Sequence, residues 1–82
     1  MQLYHKIKLN LGYQLLKQHK LEFIDIWYYD YKLHKECILT FTFRHNISHC
    51  HTYQHWKREL LKGVSHKKYR ITYVHFGKTM LY

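Results

Sequence analysis

In residues 35–44, Lys35-Glu36-Cys37-Ile38-Leu39-Thr40-Phe41-Thr42-Phe43-Arg44, apolar and polar side chains alternate strictly from Leu39 to Arg44. A period of two sorts such a run onto the two faces of a strand, whereas a helix would scatter the apolar set around its axis. Cys37, Leu39, Phe41 and Phe43 then face a core, and Ile38, Thr40, Thr42 and Arg44 face outward. Just upstream, Phe23-Ile24-Asp25-Ile26-Trp27-Tyr28-Tyr29 is β-branched and aromatic, the composition of a second strand. The two predict a hairpin. Its connection, around residues 30–34, contains no Gly or Pro, so no turn type can be assigned to it.

The flanks admit more than one reading. From Gln2 to Asn10, Leu3, His5, Ile7 and Leu9 alternate with Tyr4, Lys6, Lys8 and Asn10, which predicts a half-exposed strand followed by a short helix over residues 11–19. Leu3, Ile7, Leu11 and Leu15 also recur at helical spacing, so one helix over residues 2–19 competes, with Gly12 as its only breaker. After the hairpin, Ser48 or Thr52 can cap a helix whose apolar stripe is Trp56, Leu60 and Leu61 and whose end is Gly63 in the left-handed position. Lys57, Arg58 and Lys62 lie off that stripe, in water. A last strand, residues 68–76, is rich in Tyr, Ile, Thr and Val. The expected fold is α+β, a small antiparallel sheet with helices on one face, in the ferredoxin-like order βαββαβ or, with a helical N-terminus, α-β-β-α-β. Eighty-two residues hold one such domain, spanning residues 1–82.

Composition points to a partner. Lys+Arg number 14 against Asp+Glu 5, a net charge of +9, and 18% of residues are aromatic. Cations release the counterions of phosphates and rings stack on bases, so a surface carrying both suits single-stranded nucleic acid. If the alternation holds, the uncovered sheet face carries Phe23, Asp25, Trp27, Tyr29 and Tyr31 beside Tyr4, Lys6, Lys8, Thr40, Thr42, Arg44, Arg70 and Thr72. The expected contacts are Tyr4, Lys6, Lys8, Trp27, Tyr29 and Arg44, joined by Lys57, Arg58, Lys67, Lys68 and Arg70. A hydrophobic content of 46% excludes a disordered chain. Two cysteines and the absence of a leader or a long apolar run predict a reduced, cytoplasmic protein with no membrane partner. The chain has no Ala and no Pro but abundant Lys, Tyr and Ile, a bias of AT-rich codons that suits a phage or mobile element.

The expected function is therefore sequence-independent binding of single-stranded DNA or RNA, without catalysis, cofactor or metal, in a chain small enough to serve as accessory to a larger replication or processing enzyme. The first alternative is a protein-interaction module or inhibitor docking on an acidic partner, which would also use Trp and Tyr.

A few residues could carry chemistry instead. His45, His49, His51 and His55 cluster with Cys50, and the i, i+4 pair His51 and His55 could share a metal, although the spacing matches no standard zinc finger. His49-Cys50-His51 resembles the histidine motif of rolling-circle nickases, and Tyr53-x-x-x-Lys57 has the form of their nucleophile motif, but here the two follow one another too closely. Ile7-Lys8-Leu9-Asn10-Leu11 resembles the first-strand motif of RNA-recognition modules, with Lys8 where they place an aromatic ring. Gly63-Val64-Ser65-His66-x-x-Tyr69 is similar to the Gly-Ser-His segment of small HicA-type RNase toxins, with Val64 interposed. That resemblance implies a metal-independent RNase as a further alternative. His66 would be its acid or base, and Lys67, Lys68 and Arg70 would meet the phosphorane.

Overall fold

The computed structural model describes residues 3–18, 20–43 and 49–78, with the backbone alone at 49 and 50. The hairpin forms as expected. Strand β1 (Phe23–Asp30) pairs antiparallel with β2 (Lys35–Thr42), in a register running from Phe23↔Thr42 to Asp30↔Lys35. Asp30 supplies what Gly and Pro do not. Its carboxylate accepts from the Lys32 and Leu33 amides at 2.9 and 3.1 Å, and its carbonyl accepts from His34 N–H at 2.8 Å. His34 closes the loop in the left-handed region at φ 55°.

β3 (Tyr69–Gly77) joins the free edge of β1, giving an antiparallel sheet in the order β2-β1-β3. The β1–β3 register slips between Trp27 and Tyr28, so Trp27 meets Tyr73 while Tyr28 meets Ile71, and Thr72 has no partner in the ladder. A bulge of this kind reverses which residues face inward. Ile71 and Val74, three apart, are therefore both buried. Thr72, expected on the outer face, is lost from it, and Tyr73 and His75 occupy that face instead.

Residues 3–10 are helical and do not form a strand. Leu3–Lys17 is one helix, α1, so the element order is α-β-β-α-β, helices lying on one face of the antiparallel sheet. Leu9, Gly12 and Leu16 turn inward at i, i+3 and i+7, which the alternating reading could not see. Gly12 is a contact point: a Cβ there would sit 3.3 Å from Ile24 Cδ1 and 3.3 Å from the Tyr53 hydroxyl. The stripe Leu3, Ile7, Leu11 faces solvent. Helicity here is imposed by packing and not by the first apolar period that the sequence offers.

The second helix, α2, spans His49–Ser65. Tyr53, Lys57 and Leu60 point inward at i, i+4 and i+7, and the Tyr53 hydroxyl donates to the Leu9 carbonyl at 2.9 Å, tying α2 to α1. Ser48 lies outside the described residues, and Thr52 is within the helix. Gly63 does not end it. The end is a Schellman motif with Lys67 in the left-handed position at φ 60°, Lys68 N–H bonding Gly63 O at 2.7 Å and Lys67 N–H bonding Val64 O at 3.0 Å. Gly63 is required for room, since a Cβ there would land in the ring of Tyr69. The core is Leu9, Leu16, Leu21, Ile24, Ile26, Phe43, Tyr53, Leu60, Ile71 and Val74. Among the described residues, no helix is long and apolar enough to cross a membrane.

Candidate nucleic-acid interface

The sheet face turned away from the helices carries a run of touching rings. Phe23 meets His75 at 5.3 Å between centroids, His75 stacks on Tyr73 at 6.1 Å, and Tyr73 meets Trp27 at 5.4 Å. Nearer the hairpin, Tyr29 packs on Tyr31 at 5.3 Å, with the Arg70 guanidinium 5.9 Å from the Tyr29 centroid. The strands generate this row because alternate residues of β1 and β3 share a face and paired residues sit side by side. Tyr73 remains half-exposed, so ring faces are available above the sheet.

Among the described residues, cations reach this face at the β3 edge. Lys8, on α1, places its ammonium 5.6 Å from the Tyr73 centroid, 5.6 Å from Phe76 and 5.8 Å from Tyr4, wrapping the β3 edge. With Arg70 it borders the aromatic row on the β3 side. On the β2 side the outward residues are Glu36, Ile38, Thr40 and Thr42, so the face is polarised across its width.

The expected contact residues divide accordingly. Trp27, Tyr29 and Arg70 stand together on the outer face, and Lys8 joins them from the helix layer. Tyr4 and Lys6 are exposed on α1 and not on a strand, which corrects their placement on the sheet and removes the first-strand likeness of residues 7–11. Arg44 lies outside the described residues. Arg58 is exposed on α2, and Lys67 and Lys68 form its cap, all away from the ring row. Lys57 is a correction: it is buried at 8% exposure, donates to Asn10 Oδ1 at 2.9 Å and lies 5.1 Å from the Tyr13 ring. Burial lowers its pKa, and the neighbouring Arg58 charge lowers it further.

Trp56 is the second correction. It was expected on the inward stripe, but 46% of it is exposed, because Tyr53 and Lys57 take the inward positions on either side of it. It overlooks a groove of about 390 Å³ between α2 and the hairpin half of the sheet. Tyr28, Leu39 and Tyr69 line the inside, and His66 sits at the end nearest the cap. Tyr28 has its phenol pKa raised by burial and then by Cys37, its partner across the strands.

The metal and RNase signals fare differently. His45 and the side chains of His49 and Cys50 lie outside the described residues, and His51 and His55 are exposed. Among the described residues, no group of three His, Cys, Asp or Glu could hold a metal ion. His66 does face a groove, yet the groove's other histidine, His55, precedes it by eleven residues, roughly 16 Å of helix at 1.5 Å per residue. No family model, no curated protein and no solved structure matches this chain.

Sequence reasoning missed Tyr73 and His75. Both were legible as aromatic residues alternating with Val74 and Phe76, but the bulge hid which face they took.

Proposed function

We propose that this chain binds single-stranded DNA or RNA with little sequence preference, laying bases along the rings of β1 and β3 and phosphates along the Lys8–Arg70 edge. The observation that carries this reading is the unbroken contact from Phe23 through His75 and Tyr73 to Trp27, bordered among the described residues by cations on the β3 side. Base–ring stacking tolerates any base, because every base has a π-face. A single cationic border suits one backbone rather than the two of a duplex. The remaining excess charge, on α1, α2 and the cap, raises the local potential and speeds encounter with a polyanion.

In this reading the protein is a non-enzymatic binder in the cytoplasm, an accessory to a larger replication or processing enzyme of a phage or mobile element. A protein-interaction module is the competing occupant of the same face. Fluorescence anisotropy with single-stranded DNA, single-stranded RNA and duplex across a salt series separates these readings. Single strands are expected to bind most tightly, with affinity falling steeply as salt rises, and to emerge uncut. Absence of binding in dilute salt would remove the proposal and leave the protein partner.

A further inference from the structure

We propose that the groove between α2 and the hairpin half of the sheet is a second site, a pocket for one nucleotide, with the base against Trp56 and the phosphate against Lys62 and Lys68. This goes beyond the sheet-face reading, because the groove opens on the helix side of the sheet.

Size and lining agree with such a ligand. A cavity of about 390 Å³ is in the range of small-molecule sites, roughly 300–1,000 Å³. Its walls are aromatic and aliphatic, from Tyr28, Leu39, Leu60 and Tyr69, with Trp56 at the mouth. At the groove wall the Tyr69 ring lies against the bare backbone of Gly63. His55 meets Trp56 in a T-shaped contact at 5.2 Å and 79°.

The charges are ordered along the groove. Glu59 is the one carboxylate among the lining residues, and Lys62 is three residues on, nearly one helical turn of 5.4 Å. Lys68 and His66 follow at the capped end. A phosphate is repelled by the Glu59 end and attracted by the Lys62–Lys68 end, while a base edge rich in N–H donors finds its acceptor in Glu59. Guanine, with adjacent ring and exocyclic N–H groups, matches a carboxylate best.

The test uses two proteins with one tryptophan each. In the Trp27→Phe protein, guanosine monophosphate should quench Trp56 saturably, and Lys62→Ala with Lys68→Ala should weaken binding at least about tenfold. Glu59→Gln should weaken guanosine monophosphate more than uridine monophosphate. No response at roughly 5 mM nucleotide, or an equal response to inorganic phosphate alone, would overturn the pocket. So would a Trp56 signal that follows protein concentration and ignores nucleotide, which would mean that a second copy fills the groove. In the Trp56→Phe protein, oligonucleotide is read at Trp27. Quenching there with a silent Trp56 overturns the groove and leaves the sheet face standing, and the reverse pattern does the opposite.

Discussion

Along the middle of β1 and β3 the inner face of the sheet is sealed: Ile24 and Ile26 retain no exposure and Ile71 and Val74 retain 3% and 1%. On β2 the residues facing the same way, Cys37, Leu39 and Phe41, are only half-buried. Two helices side by side are wide enough to cover three strands. Here, however, α1 and α2 pack on each other and both pack on β3, and Lys8 of α1 reaches round that strand's edge. The helix pair leans toward β3, while Gly12 also approaches Ile24 of β1 and the Tyr53–Leu9 hydrogen bond joins the two helices. This arrangement has two consequences. It brings a helix cation to the outer face at β3, and it leaves a groove open at the hairpin end of the sheet, lined by Tyr28, Leu39 and Tyr69.

Removing the anchor of the sealed half should have the largest effect. Tyr53 is fully buried and touches Phe41, Phe43 and Tyr13 as well as Leu9. Tyr53→Ala is expected to cost about 3–5 kcal/mol, enough to abolish a cooperative thermal transition in a domain this small. Next comes a direct comparison of the halves. Ile71→Ala should cost about 2–5 kcal/mol in urea unfolding and Leu39→Ala no more than about 1.5, because Leu39 starts half-exposed. Equal costs would mean that β2 is as well covered as β3. Trp56→Ala should change stability by less than about 1 kcal/mol, as expected of a side chain outside the packed interior.

The smallest effect is a pH dependence set by Lys57, Tyr53 and Tyr28. Lys57 has a lowered pKa, so between its folded and unfolded values the unfolded chain holds more protons and stability rises with pH. Burial raises the phenol of Tyr53, and burial with Cys37 raises that of Tyr28. Above about pH 10 the unfolded chain loses those protons first, so stability falls. Urea midpoints should therefore rise gently and then drop across roughly pH 8–11. Lys57→Met should flatten the rise and Tyr53→Phe the fall. A profile unchanged by either substitution would place both side chains in water.

The hairpin and the helix–sheet layering were legible in the sequence because alternation over residues 35–44 leaves one arrangement that buries Leu39 and Phe41. Trp27, Tyr29 and Arg70 followed from the same parity. Three features were not legible, each because long-range packing overrode a local pattern. In α1 the apolar spacing of Leu3, Ile7 and Leu11 competed with that of Leu9, Gly12 and Leu16, and only contacts with Ile24 and Tyr53 decide between them. In α2 a tryptophan is a stronger apolar signal than a lysine, yet Lys57 goes in and Trp56 stays out, because the inward line is set by Tyr53. In β3 a bulge at Thr72 shifts the parity, and no Gly or Pro marks it. Tyr4, Lys6 and Lys8 were read onto the sheet because the alternation over residues 2–10 was weighed above the helical spacing of Leu3, Ile7, Leu11 and Leu15, and in the fold they lie on α1.

The central claim is that bases stack on the outer ring row with phosphates at its β3 edge. It is tested most directly by Trp27 fluorescence in the Trp56→Phe protein, titrated with a single-stranded oligonucleotide at several salt concentrations. The expected result is saturable quenching whose log affinity falls against log salt with a slope of about −2, as for about three phosphates on a single strand. Lys8→Ala should make that slope shallower, and Trp27→Ala, followed by anisotropy, should cost roughly 1–3 kcal/mol of binding with the thermal transition unmoved. Trp27 emission that stays constant while the oligonucleotide binds would contradict the account, placing the nucleic acid on the helices and leaving the ring row to another protein.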